Sequence, residues 1–193
     1  MNVIYLHGFA SNSASIKGKM LQKYCEQHTD LKIHLPDLNL PVTEALQHIS
    51  ELICRLSDVV LIGSSFGGFY ATQMVVRHHV PAVLINPTVR PWRLFRSIYG
   101  QHQLPYVVHP NWTIDEDQLL YLEQYAMEGV QDFSKILVLL QQGDEVLNYR
   151  EALDYYSAPH PAMLMCEAKG NHAMDDFADK IPMALQFLSD CLQ

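Results

Sequence analysis

The chain has 193 residues, of which 49% are hydrophobic, 18% charged and 10% aromatic. That length makes one domain the natural prior, and the apolar share suits a single sizeable core, which excludes a disordered chain or a collagen-like repeat. With 13 Lys and Arg against 21 Asp and Glu, a formal net charge of -8 and no basic run, no nucleic-acid partner is expected.

Short apolar runs recur along the chain. They lie at Val3–Leu6, Leu31–Leu35, Val59–Ile62, Ala82–Ile85, Ile136–Leu140 and Ala162–Cys166. Several are continuously apolar, as strands buried on both faces of a parallel sheet are. Helical patterns lie between and after them, at Ser15–His28, Val42–Leu56, Gly68–His78, Tyr149–Tyr156 and Ile181–Leu192, with Thr43 as the expected N-cap of the second. Strand and helix alternate, so the expected fold is a three-layer α/β domain with a mostly parallel sheet of about six strands. The rhythm breaks once. Between Pro87 and Ser134 no strand is expected, and a stretch that long reads as a helical insertion or cap at about 88–134.

The cysteines, Cys25, Cys54, Cys166 and Cys191, form no C-x-x-C pair and no zinc spacing. No basic leader opens the chain, and no run approaches the roughly 20 apolar residues of a membrane span. A cytosolic setting with reduced thiols is therefore expected. Nothing in the sequence bears on oligomeric state.

The sharpest motif is Gly63-Ser64-Ser65-Phe66-Gly67, a match to G-x-S-x-G. Composition alone gives roughly 0.02 chance matches in a chain of this length. The motif needs a strand before it and a helix after it, so that a strained turn lifts the serine hydroxyl above the sheet edge. Val59–Ile62 and Gly68–His78 supply both. Ser65 is the candidate nucleophile; Ser64 is the rival, but the glycine spacing favours Ser65.

His7-Gly8-Phe9 follows the first strand. A tetrahedral intermediate needs two donors aimed at its oxyanion. The backbone N–H groups of Phe9 and Phe66 are the candidates, with His7 as a structural hydrogen bonder. The base should lie late in the chain. His172, in Gly170-Asn171-His172-Ala173, follows the sixth strand and reaches the same sheet edge as Ser65. The acid should follow the fifth strand, where Gly143-Asp144-Glu145 offers Asp144, with Glu145 as the alternative. Its task is to hold the imidazole tautomer. Asp175 and Asp176 read as carboxylates at a helix start. No H-E-x-x-H is present, and no metal site is expected.

The order Ser65, Asp144, His172 is that of the α/β-hydrolases. Together with Tyr5–Phe9, Gly63–Gly68, Asn86–Pro91, Gly143–Leu147 and Gly170–Ala173, it resembles the small YqiA-like esterases of that superfamily. The likeness spans nearly the whole chain; Asn86–Pro91 is its more group-specific part. The resemblance implies an α/β-hydrolase fold lacking the first two strands. It also implies esterase or thioesterase activity on small-molecule acyl esters, without a cofactor.

Two further readings stay open: a ligand-binding protein on the same fold, or another triad reaction such as C–C hydrolysis or acyl transfer. Trp92, Leu94, Phe95, Ile98, Tyr99 and Trp112 in the cap are expected to line an apolar acyl site or to pack the cap onto the sheet. Arg90, Arg93 and Arg96 are three apart, so on a helix they share a flank, either binding phosphates of a CoA thioester or forming a solvated face.

Overall fold

The computed structural model describes residues 1–126, 132–157 and 160–192. The strands are β1 (Asn2–Leu6), β2 (Lys32–His34), β3 (Val59–Ser64), β4 (Ala82–Ile85), β5 (Tyr106–His109), β6 (Trp112–Ile114), β7 (Ile136–Gln141) and β8 (Met163–Glu167). The helices are α1 (Ile16–Cys25), α2 (Val42–Arg55), α3 (Phe66–His78), α4 (Pro91–Gln103), α5 (Glu116–Tyr125), α6 (Tyr149–Tyr156) and α7 (Phe177–Asp190). Six strands form one sheet in the order β2-β1-β3-β4-β7-β8, and every neighbouring pair is parallel. All six expected strands are present. Among the described residues no strand lies outside β2, as the resemblance implies.

Alternation along the strands feeds two cores. Ile4, Leu6, Leu61, Leu84, Val138 and Leu140 face the side covered by α2, α3 and the 88–134 segment. Val3, Tyr5, Val60, Ile62, Val83, Ile85 and Leu139 face α1 and α7. A strand buried on both faces has no polar side to show, which is why these runs read as continuously apolar. The stripes on the helices match. α2 buries Val42, Ala45, Leu46, Ile49 and Ile53, and α7 buries Phe177, Ile181, Ala184, Leu185 and Leu188. Phe177 belongs to that stripe, so α7 begins one turn earlier than expected.

Two expectations are corrected. The 88–134 segment does contain strands: β5 and β6 pair as a small antiparallel hairpin between α4 and α5, with an irregularity between Val107 and His109. Tyr106 and Val107 are both exposed, so the run shows none of the alternation that announces a strand. Thr43 is not the N-cap of α2. Pro41 holds that position, and the Val42 N–H donates to Gln118 Oε1 of α5 instead (3.2 Å). Residues 127–131 of the expected cap lie outside the described residues. Among the described residues no helix is long and apolar enough to cross a membrane.

Because the sheet is parallel, the loops after β1, β3, β4, β7 and β8 all open at one edge. His7 to Phe9, Ser65, Phe66, Asp144 and His172 all lie on these loops or at the helix start that follows.

Candidate active site

Ser65 sits between β3 and α3 with φ 55° and ψ -118°. A non-glycine residue there stores on the order of 1–3 kcal/mol of strain, and such strain persists only where neighbours over-determine it. Here they do. The Ser65 N–H donates to the Ile85 carbonyl (3.0 Å), and the Ser65 carbonyl accepts from the Gly68 and Thr88 N–H groups (2.9 and 3.0 Å).

The glycines are required by close approach. A Cβ on Gly67 would meet the Leu6 backbone carbonyl, and one on Gly63 would meet the Gly67 carbonyl. Backbone cannot retreat as a flexible side chain can. Gly67→Ala should therefore lower the free energy of unfolding by about 3 kcal/mol or more, read from denaturant midpoints. Gly100→Ala is the control. Its Cβ would meet nothing within 4 Å, so only the backbone cost of φ 59° and ψ 179° remains, about 1–3 kcal/mol with no clash added.

The three candidate side chains meet in a hydrogen-bonded row. His172 Nε2 lies 3.0 Å from Ser65 Oγ, and His172 Nδ1 lies 2.8 Å from Asp144 Oδ2. The Asp144 side chain is 2% exposed, and its Oδ1 accepts from the Val146 and Leu147 N–H groups, both at 2.8 Å. A carboxylate can only accept, so Nδ1 carries the imidazole proton and Nε2 is left to accept from the Ser65 hydroxyl. Glu145 takes a different place: its Oε2 accepts from the His172 backbone N–H (3.0 Å). Ser64 is buried, and its hydroxyl pairs with Tyr5 rather than with His172. Burial nevertheless pushes the Tyr5 phenol above its ordinary range, with the hydrogen bonds to Ser15 and Ser64 pulling the other way.

His7 is buried, and its Nε2 accepts from the Leu38 N–H (2.8 Å). Nδ1 must then hold the proton, which it donates to the Gly8 carbonyl (2.9 Å). In a trans peptide the carbonyl and the next N–H point opposite ways. Drawing the Gly8 carbonyl toward His7 therefore turns the Phe9 N–H away from it. Gly8 itself packs on Ser65, since a Cβ there would lie 3.3 Å from Ser65 Cβ. Phe66 opens α3, so its N–H is a first-turn donor with no carbonyl in its own helix.

Sequence reasoning missed the polar brace behind His172. Asn86 is buried at φ 40° directly after β4. Its Nδ2 donates to the Asn171 and His172 carbonyls (3.0 and 3.2 Å), and its Oδ1 accepts from the Gln141 N–H (3.0 Å). Gln141 Oε1 accepts from the Asn171 N–H (2.9 Å), while its Nε2 donates to Glu167 and Asp176. The stretch holding Asn86 was visible as group-specific; its bracing role was not.

The segment expected to line the pocket is placed otherwise. A cavity of about 440 Å³ contains Ser65 and His172, walled by the loop after β1, the start of α1 and residues 172–175. Among the described residues, none of 88–134 lines it. The aromatic side chains of that segment are consumed in packing. Phe95 lies 4.5 Å from Phe9 and Trp112 5.5 Å from it, centroid to centroid, while Trp92 packs edge-on against Phe69. Arg93 and Arg96 stand three apart within α4 and share a flank there, but the three arginines have different surroundings. Arg90 precedes the helix as its N-cap, Arg93 is exposed, and Arg96 is bound to Glu116 and Glu123 (2.6 and 3.0 Å). Arg90 and Arg93 line a separate cavity of about 340 Å³. Among the described residues no cluster of three or more His, Cys, Asp or Glu is arranged to hold a metal ion.

A parallel sheet in this order, with a tight strand–turn–helix after β3, is the α/β-hydrolase fold. Solved structures share it. Mouse α/β hydrolase domain-containing protein 10 is 15% identical, with a TM-score of 0.73 over 100% of this chain and 90% of that one. Est1E from Butyrivibrio proteoclasticus is 12% identical, with a TM-score of 0.75 over 99% of this chain and 88% of that one. An α/β superfamily hydrolase from Oenococcus oeni PSU-1 is 12% identical, with a TM-score of 0.60 over 98% and 93%. At these identities the likeness is one of fold. The chain belongs to the uncharacterised protein family UPF0227, the YqiA-like family, whose model it matches over residues 2–189.

Proposed function

We propose that the protein is a serine ester hydrolase acting on small-molecule acyl esters or thioesters, without a cofactor. The observation that carries this reading is the continuous row Asp144–His172–Ser65, with contacts of 2.8 and 3.0 Å. Ser65 Oγ attacks the acyl carbonyl as His172 Nε2 takes its proton. Asp144 holds the tautomer and stabilises the imidazolium. The N–H groups of Phe9 and Phe66 receive the oxyanion. His172 returns the proton to the departing alcohol or thiol, leaving an acyl-Ser65 ester. Water, activated by the same imidazole, then releases the acid and restores the serine. Residues 88–134 act as a cap insertion in a single domain, holding Phe9 and Phe66 from above through the aromatic contacts.

A fluorophosphonate probe tests the reading. It should label Ser65, and the protein should turn over a graded panel of p-nitrophenyl esters and acyl-CoA thioesters. Turnover of the thioesters would bring Arg90 and Arg93 forward as partners for the CoA phosphates, since guanidinium matches phosphate oxygens. An unlabelled Ser65 with no turnover across the panel would leave a ligand-binding protein as the better account.

A further inference from the structure

The cavity that holds Ser65 and His172 has a lysine on its wall. Lys17, in the first turn of α1, is half-buried there beside Ser11, Asn12 and Ser15. Among the described residues its ammonium makes no hydrogen bond and no ion pair. Asp175 lines the same cavity, but its carboxylate accepts from Asn171 Nδ2 (2.8 Å), and it acts on Lys17 only through space. Lysines usually carry the ammonium out to water along a flexible stem. Here burial lowers the pKa below the ordinary lysine range, and Asp175 offsets only part of that.

A partly desolvated cation without a fixed partner is costly, and an arriving anion removes the cost. The neighbouring wall suits an anion too. Asn12 Oδ1 accepts from the Ala14 N–H, which leaves the side-chain Nδ2 as a donor. In a chain of net charge -8, a cation placed at the nucleophile also offsets a general repulsion of anionic substrates.

Resting on the reading of Ser65 as nucleophile, we infer that Lys17 is the specificity-determining cation of this cavity. It pairs with an anionic group, a carboxylate or phosphate, carried by the ester. The preferred substrates are therefore charged esters rather than neutral ones of the same length.

Three matched esters test this: neutral p-nitrophenyl octanoate, mono-p-nitrophenyl suberate with a carboxylate on the acyl part, and 4-carboxyphenyl octanoate with one on the leaving group. Lys17→Gln should lower kcat/KM at least about tenfold for one of the charged esters, against at most about threefold for the neutral one. Lys17→Arg should retain most of the activity on that charged ester, and Asp175→Asn should raise it several-fold. Which charged ester responds shows where the anion sits. The suberate dianion should also slow fluorophosphonate labelling of wild-type Ser65 more than neutral suberamide does, a readout that needs no variant.

Equal losses on all three esters, or equal protection by dianion and diamide, would overturn the inference. The hydrolase reading would survive that result if Ser65 is still labelled and the neutral ester still hydrolysed. No labelling and no turnover of any ester would overturn both.

Discussion

Alanine at position 65 is expected to lower kcat by about four to six orders of magnitude while the fold is kept. Ser65 Oγ is the only atom of the residue that faces His172 Nε2, and its backbone is fixed by three hydrogen bonds that alanine retains. Alanine tolerates the positive φ about as well as serine does, so the unfolding temperature should shift by only a few degrees. Ser64→Ala has the opposite signature. It removes a buried hydroxyl bound to Tyr5, so it should cost stability more than rate. Steady-state kinetics with thermal unfolding on both variants checks this. Equal losses of kcat, or a fluorophosphonate label on Ser64, would move the nucleophile.

Asp144→Asn should lower kcat by about four orders of magnitude. The physical reason is the tautomer. Val146 and Leu147 donate to one side-chain oxygen of residue 144, so an asparagine there keeps its oxygen on those N–H groups and turns its amide nitrogen to His172. His172 Nδ1 must then accept, the proton moves to Nε2, and the Ser65 hydroxyl loses its acceptor. Glu145→Gln keeps an oxygen for the His172 N–H, so its effect should stay within about tenfold. The ranking of kcat for the two variants decides which carboxyl group is the acid; the reverse order would assign it to Glu145.

Much of this arrangement was legible in the chain. The glycines around Ser65 announce themselves because their need is local: one turn brings α3 onto β1, and only hydrogen fits. Asp144 and His172 were found by chain order and by strand ends, since a parallel sheet delivers every such loop to one edge. The Asn86–Gln141 brace was not legible. Its partners lie 26 to 86 residues apart, and nothing in a single amide side chain says which distant group it will meet. The hairpin β5–β6 was missed because so short a strand with two exposed neighbours carries no periodic signal. Of the two expectations for the cap aromatics, packing holds for Trp92, Phe95 and Trp112. Composition shows that residues 88–134 are rich in aromatic side chains; it does not show that Phe9, Phe66 and Phe69 absorb them.

The position of β8 has a consequence for how the protein fails. It is the last strand of the sheet, with β7 on one side only and Met163 and Met165 exposed. Ser65 hangs from β3, three strands in from that edge. The proposed base and nucleophile are thus carried by the loops after an edge strand and an interior strand of one sheet. On that reading, fraying of β8 should withdraw His172 while the turn at Ser65 stays intact, and loss of activity on heating should run ahead of melting, which paired activity and unfolding curves would check. Asn86 and Gln141 are the rivets across that seam. A loss of either would narrow the temperature range of activity without removing a single reacting atom.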